Sequence, residues 1–510
     1  MNSPGQDKLS SAQGADAHPP REAAPGIARH DVKAVNKKEH RELYKKREPI
    51  FPKRVFGTFR NAKWVIMALT LSIYYILPWV RWDRGPGAPD QAVLVDFGAP
   101  RFYFFFIEIW PQEIYYITGL LVMAAIGLFL VTSLFGRVWC GYACPQTVWT
   151  DLFVWVERLI QGDRNARMKL AKSPWTADKI RKVATTHTIW VLISIATGGA
   201  WVFYFSDAPT LLSDLLTGNA STAAYLFIGL LTFTTYSLGG LMREQVCIYM
   251  CPWPRIQAAM IDTDALAVTY DFNRGEPRGA HKKGDTWDGR GDCISCRQCV
   301  VACPMGIDIR DGLQLECIQC ALCIDACDSI MEKLDLPKGL IGYDTDFNLA
   351  ARAAGEPTKF KFIRARTIFY SIILIAVGGL MLFGLTARDF LELNVLRDRI
   401  PNYVTLSDGS VRNGYTIKVV NMRPETEEFR VTLEGVEGAT FRITGDPVDH
   451  NYVPDFTVDP DEVHSLRIYV TLAEGHMPDE LSTPITFYVE DLEYGTVKSA
   501  RSVFVSGEAR

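Results

Sequence analysis

Eight cysteines crowd into residues 293–327, CISCRQCVVACPMGIDIRDGLQLECIQCALCIDAC, in two copies of the spacing C-x2-C-x2-C-x3-C. Three thiolates so closely spaced wrap one corner of a cube, and a more distant fourth ties two such loops together. This is the bacterial pattern for paired 4Fe–4S clusters, in which the fourth cysteine of each run serves the other run's cluster. The rule assigns Cys293, Cys296, Cys299 and Cys327 to one cluster, and Cys303, Cys317, Cys320 and Cys323 to the other. Zinc usually takes two pairs of ligands rather than two such quartets, and disulfides require an oxidising compartment. Two details depart from the common pattern. Asp328 follows the second run where Pro304 closes the first, and only 13 residues separate Cys303 from Cys317.

The rest of the chain decides where this electron relay sits. Its 510 residues carry a net charge of −4, so no global basic field points to nucleic acid. The apolar residues are gathered into five runs, Trp64–Val80, Ile114–Phe135, His187–Phe205, Ala223–Met242 and Thr367–Leu385. Each is about long enough to span a bilayer, which takes roughly 17–25 residues. Residues 1–50 are polar, basic from Lys33 onward and without hydrophobic period, as expected of a disordered tail with no cleaved secretory signal. Residues 81–101 read as a loop, and the aromatics of Phe102–Trp110 as an interfacial belt.

Lysine and arginine fall on alternate sides of the spans. Lys53, Arg54, Arg60 and Lys63 precede the first span. Arg158, Arg164, Arg167, Lys169, Lys172, Lys179, Arg181 and Lys182 lie between the second and third, and Lys359, Lys361, Arg364 and Arg366 precede the fifth. Cytoplasmic loops carry the excess of cations, which places the amino terminus and the cysteine region in the cytoplasm and the carboxyl terminus outside. The segment Arg164–Lys182 is expected to be a solvated, lipid-facing inner loop. From about residue 395, short stretches such as YTIKVVNM, SLRIYVTL and PITFYVED alternate apolar and polar residues, with Asp408-Gly409 and Asn413-Gly414 as turns. That pattern predicts a β-sandwich of about 100 residues.

The other four cysteines form a weak repeat. Cys140 and Cys144 lie in RVWCGYACPQ after the second apolar run, and Cys247 and Cys251 in REQVCIYMCPWP after the fourth. Both are C-x3-C-P with an arginine upstream, Arg137 and Arg243. In a continuous helix each pair would share one face. Pro145 and Pro252 would kink or end that helix, and the guanidinium would favour thiolate. Buried structural cysteines, a redox disulfide, a copper-binding thiol set and a third thiolate-bound centre all fit these residues. Histidine gives no haem signature: C-x-x-C-H is absent, and only His187 lies at a span. His450, His464, His476 and Met477 read as scattered surface residues rather than copper ligands. No G-x-G-x-x-G nucleotide fingerprint names an electron donor.

In combination, the C-x3-C-P motifs, TYDFNRGEPRG (269–279), GIDIRDGLQLECIQCALC and PKGLIGYDT (337–345) give the chain a family likeness. From about Asn61 to its end it resembles the CcoG/FixG/RdxA family of membrane polyferredoxins, associated with assembly of cbb3-type cytochrome c oxidases. The resemblance implies a multi-domain membrane protein. Its parts would be a tail (1–50), four spans with the C-x3-C-P motifs (51–260), a two-cluster ferredoxin-like domain (261–350), a fifth span (351–390) and an immunoglobulin-like β-sandwich (391–510). It implies two 4Fe–4S clusters, residence in the bacterial inner membrane and a periplasmic carboxyl-terminal domain. It also implies reduction of Cu(II) to Cu(I), with Cys140, Cys144, Cys247 and Cys251 as the copper-handling thiols. Oxidase subunits or copper chaperones would be its partners. General electron transfer from quinol and a scaffold role in oxidase assembly are the alternatives.

Overall fold

The computed structural model describes residues 32–36, 48–85, 88–281 and 285–506, apart from 424, 446–447, 452, 461 and 479. Most of the expected tail lies outside the described residues. Residues 32–36 do not behave as a solvated tail: Ala34 is buried, and Asn36 bonds the carbonyls of Met305 and Gly306.

Among the described residues, five helices are long and apolar enough to cross a membrane: Thr58–Trp79, Pro111–Phe135, Ala177–Val202, Thr222–Met242 and Ala365–Thr386. They coincide with the five apolar runs, because an intramembrane backbone must satisfy its own hydrogen bonds. The third begins ten residues before the run that marks it, capped by the Thr176 hydroxyl. Between spans one and two, the expected loop folds instead into a small antiparallel sheet of β1 (Val93–Asp96), β2 (Arg101–Phe104) and β3 (Ile107–Ile109). Tyr103 and Trp110 of the aromatic cluster are buried there, whereas Phe104, Phe105 and Phe106 are exposed.

The basic segment after span two is not a solvated loop. It contributes α1 (Pro145–Gln161), α2 (Arg164–Lys172) and the start of span three. Arg167 is 1% exposed; it bonds Glu157 at 2.8 Å and the Pro52 carbonyl at 2.8 Å. Arg158 and Arg164 grip the Pro52 and Phe51 carbonyls, and Lys179 is buried against Ala171 and Ser173. Only a partnered cation is stable at such burial, so Arg158, Arg164 and Arg167 fasten residues 51–53 to α1 and α2, while Lys179 ties the end of α2 to the start of span three. Lys169, Lys172 and Arg181 remain exposed, as expected.

The cysteine-rich segment is closed by β4 (Ala267–Tyr270) pairing antiparallel with β5 (Ile341–Asp344). Between these strands lie α3 (Gln298–Ala302) and α4 (Leu322–Lys333), packed on one core that includes Val268, Val300, Ile318 and Ile330. Asp328, standing where proline closes the first run, accepts the Gly339 N–H at 2.9 Å.

Leu382–Arg510, with Asp83–Asp90, form a separate compact unit. It holds β6 (Leu391–Arg397), β7 (Val404–Thr405), β8 (Val411–Asn421), β9 (Glu427–Glu434), β10 (Thr440–Ile443), β11 (Phe456–Val458), β12 (Val463–Leu472), β13 (Ser482–Asp491) and β14 (Val497–Val505). Two sheets result, β10-β12-β8-β6 with β7 beside β8, and β11-β9-β13-β14. Alternation sends Tyr415, Ile417 and Val419 inward from one sheet and Phe429, Phe487 and Val489 from the other, all fully buried. Asp408-Gly409 is a turn with Gly409 at φ 82°. Asn413-Gly414 is not; it lies inside β8. Asn413 bonds the Val505 backbone through both amide atoms, and a Cβ at Gly414 would meet Asp398 at 2.3 Å. Here the glycine permits close approach rather than reversal.

Candidate functional site

All twelve cysteines are free thiols. The eight of the ferredoxin segment line two neighbouring hollows of about 360 Å³ each. Cys293, Cys296, Cys299 and Cys327 line the first with Tyr270, Ile294, Arg310 and Ile330. Cys303, Cys317, Cys320 and Cys323 line the second with Val268, Met305, Ile307 and Ile318, and Cys299 borders both. The loops are built alike: Ser295 and Arg297 in one, and Gln319 and Ala321 in the other, have φ of 52–59°. Non-glycine residues adopt that region at a cost of about 1–3 kcal/mol each, and both loops bend around their hollows in the same way.

The donor set fits 4Fe–4S clusters. Burial pushes the Cys317 thiol up to about 11 and Cys303 to about 12, and it raises Cys299, Cys323 and Cys327 well above the ordinary thiol value. Thiolates in such surroundings need a cationic core. Among the described residues no three His, Cys, Asp or Glu side chains stand close enough to share one ion. The quartets therefore suit a multi-atom cluster better than a single zinc. Bound 4Fe–4S clusters would supply one-electron storage and transfer. The protein contributes dry walls, a Gln319 N–H directed at Cys317 Sγ (3.4 Å), and the buried Arg310. Arg310 bonds Asp308 at 2.9 and 2.6 Å and sets a fixed cation beside Cys293 and Cys299.

The two C-x3-C-P motifs share a construction that differs from the expected helical face. Each apolar span ends at a positive φ four residues before the first cysteine, at Gly136 (57°) and Arg243 (47°). A short helical turn follows, Val138–Tyr142 or the π-turn Val246–Met250, carrying Cys140 or Cys247. Cys144 and Cys251 are then extended, with ψ of 127° and 122°. A residue before proline is driven out of the α region, and Pro145 and Pro252 open the next helices, Pro145–Gln161 and Trp253–Met260. The prolines thus start helices rather than kink them.

Tertiary packing brings the two motifs into one neighbourhood: Cys140 feels Cys144 and Cys251, and Cys247 feels Cys144, Cys140 and Cys251, although among the described residues no three of these sulfurs stand close enough to share one ion. Burial outweighs Arg137 and leaves the Cys140 thiol raised to about 11 rather than activated; Cys247 rises to about 12. The Arg243 guanidinium is engaged elsewhere. It pairs with Glu157 at 2.5 Å and donates to the Gly240 carbonyl. Cys140 Sγ donates to Gln257 at 3.1 Å, and Gln257 donates in turn to Thr132. A chamber of about 620 Å³ has Cys247, Glu244 and Asp151 in its wall, and shares Met305 and Ile318 with the second hollow.

The remaining candidates stay apart. His187 bonds the Tyr236 hydroxyl at 2.8 Å. His464 stacks on Phe456, the His450 backbone pairs with Phe441, and Met477 packs on the sandwich core. Reading motifs in isolation misses Gly141, Glu157, Gln257, Arg310 and Gln319, because their roles depend on which loops meet.

Five apolar spans and two thiol quartets around dry hollows define a membrane-embedded iron–sulfur protein. Residues 242–346 match the family described as "4Fe-4S dicluster domain", residues 117–163 the "4Fe-4S binding domain", and residues 381–507 the "IG-like fold at C-terminal of FixG". The nitrogen fixation protein FixG of Rhizobium meliloti is 54% identical over 482 residues, which cover 89% of this chain and 92% of that protein. Protein RdxA of Cereibacter sphaeroides is 50% identical over 439 residues, covering 86% and 92%. The crystal structure of a FixG-related protein from Vibrio parahaemolyticus aligns at 22% identity and TM-score 0.21, over 24% of this chain and 100% of that one. The chain belongs to the FixG/RdxA family.

Proposed function

We propose that the protein is an oxidoreductase that reduces Cu(II) to Cu(I) for assembly of a cbb3-type oxidase. The Cys293 and Cys303 quartets would each hold a 4Fe–4S cluster as resident carriers, and Cys140, Cys144, Cys247 and Cys251 would receive the copper. The observation that carries this reading is that the two C-x3-C-P motifs share one neighbourhood and that the Cys140 segment packs against the second quartet. One electron passes to each Cu(II), and soft thiolates stabilise the Cu(I) produced. The cation distribution supports an inner-membrane protein with amino terminus and ferredoxin segment in the cytoplasm and the β-sandwich in the periplasm. There the sandwich could meet oxidase subunits or a copper chaperone. The test is Cu(II) reduction by the purified protein with and without the four thiols. If all four can be replaced by serine with clusters intact and rate unchanged, the copper site is wrong.

A second reading has support of its own. Cys140 and Cys144 fall within the 117–163 match to a 4Fe–4S binding family, as expected if the four thiols held a third cluster. Iron content equivalent to three clusters per chain, falling to two when the four are replaced, would favour it.

A further inference from the structure

The first C-x3-C-P motif is packed into the second cysteine loop. Gly141 separates Cys140 from Tyr142, and a Cβ there would stand 2.7 Å from the Ile318 carbonyl and 2.9 Å from Cys320 Cα. Two backbones, one bearing Cys140 and the other Cys320, therefore touch where only glycine fits. Gln319, fully buried between Cys317 and Cys320, fastens the seam from the other side. Its Oε1 accepts the Arg137 N–H at 2.7 Å, and its carbonyl accepts the Tyr343 hydroxyl at 2.7 Å. The Arg137 guanidinium also donates to the Leu315 carbonyl. The equivalent left-handed position in the first loop is Ser295, whose side chain is shorter and carries no amide. The second motif borders the same chamber as that loop, with Cys247 and Ile318 both in its wall.

We propose that Gln319 is a positioning residue: it locks the second quartet, Cys303, Cys317, Cys320 and Cys323, onto the segment bearing Cys140. That quartet is then the one that exchanges electrons with the membrane-edge thiols, and the Cys293 quartet is the outer partner. A cluster held by the second quartet would supply one electron to the acceptor at the four thiols, while Gln319 itself only positions the two segments and forms or breaks no bond. The inference rests on the electron-carrier part of the proposed function and not on copper being the physiological acceptor.

The test uses full-length protein purified anaerobically in detergent, as wild type, Gln319→Ala, Gly141→Ala and Gln319→Glu. Paramagnetic resonance and redox titration follow the clusters, and Cu(II)-driven reoxidation of the pre-reduced protein follows transfer. In Gln319→Ala and Gly141→Ala, iron and sulfide should be unchanged, and one cluster signal should shift in line shape and potential while the other stays. Reoxidation should slow about 10–100-fold, the scale of a misplaced reacting group. Gln319→Glu keeps an acceptor for the Arg137 N–H and should restore the rate. Unchanged spectra and rates in both alanine variants overturn the proposal, as does loss of iron from all three variants, which would make the seam merely structural. A selective spectral shift in a protein that never reduces copper keeps the seam and removes the copper reading.

Discussion

Replacing Glu157 by alanine should destabilise the helical part of the protein by about 3–5 kcal/mol, the usual result of removing one partner from a buried ion cluster. Three charge-assisted bonds converge on this carboxylate: Arg167 at 2.8 Å and Arg243 at 3.1 and 2.5 Å. The Glu157, Arg167 and Arg243 side chains are 13%, 1% and 14% exposed, so water cannot take over the lost bonds. Each bond to a charged group is worth about 1.5–3 kcal/mol, but desolvation offsets much of this while the cluster is complete. Truncating only the acid leaves two guanidinium groups buried together. Glu157→Gln retains an oxygen acceptor and should cost less, about 1–3 kcal/mol. Because Arg243 holds the positive φ that opens the second C-x3-C-P motif, Glu157→Ala should also make Cys247 and Cys251 more reactive toward a thiol reagent. Denaturant unfolding in detergent micelles, followed by tryptophan fluorescence, gives the stability change. A double-mutant cycle with Arg167→Met should show coupling of about 0.5–3 kcal/mol. A loss below about 1 kcal/mol in Glu157→Ala, the range of exposed pairs, would refute the clamp.

Burial acts to raise the Asp151 carboxyl, but Lys63 and Arg60 together hold it below its ordinary value. Its contribution to stability is therefore present above about pH 4 and lost as pH falls through the lowered value; Asp151→Asn should flatten the acid limb of a stability–pH curve. Arg310→Met removes the cation beside Cys293 and Cys299 and should lower the potential of the cluster held there, since net charge sets that potential. A redox titration showing a rise would contradict it. Asn413→Ala breaks both bonds to the Val505 backbone and should cost the β-sandwich about 2 kcal/mol, read as earlier loss of its circular dichroism band in the whole protein.

The spans, the sandwich and the iron–sulfur character were legible because each rests on a local pattern: unbroken apolar runs, period-two alternation, and cysteine spacing. What was hidden depends on partners far away in the chain. Arg167 looks like any loop cation until α1 and residues 51–53 surround it. Asn413-Gly414 carries a turn signature, yet a contact 92 residues away turns it into strand. The C-x3-C-P spacing suggests one helical face, whereas proline excludes the second cysteine from the helix, and tertiary packing sets the two motifs in one neighbourhood instead. Gln319 and Gly141 carry no motif of their own. Their meaning appears only where the two cysteine systems touch.

The most direct measurement is a single turnover. Anaerobic protein is reduced, freed of excess reductant and mixed with Cu(II), while cluster absorbance and chelated Cu(I) are recorded together. Wild type should reoxidise its clusters and yield one Cu(I) for each electron lost, and the variant with serine at 140, 144, 247 and 251 should keep its clusters reduced. Intact clusters in that variant, reoxidised by copper at the wild-type rate, would contradict a role for the four thiols in copper reduction.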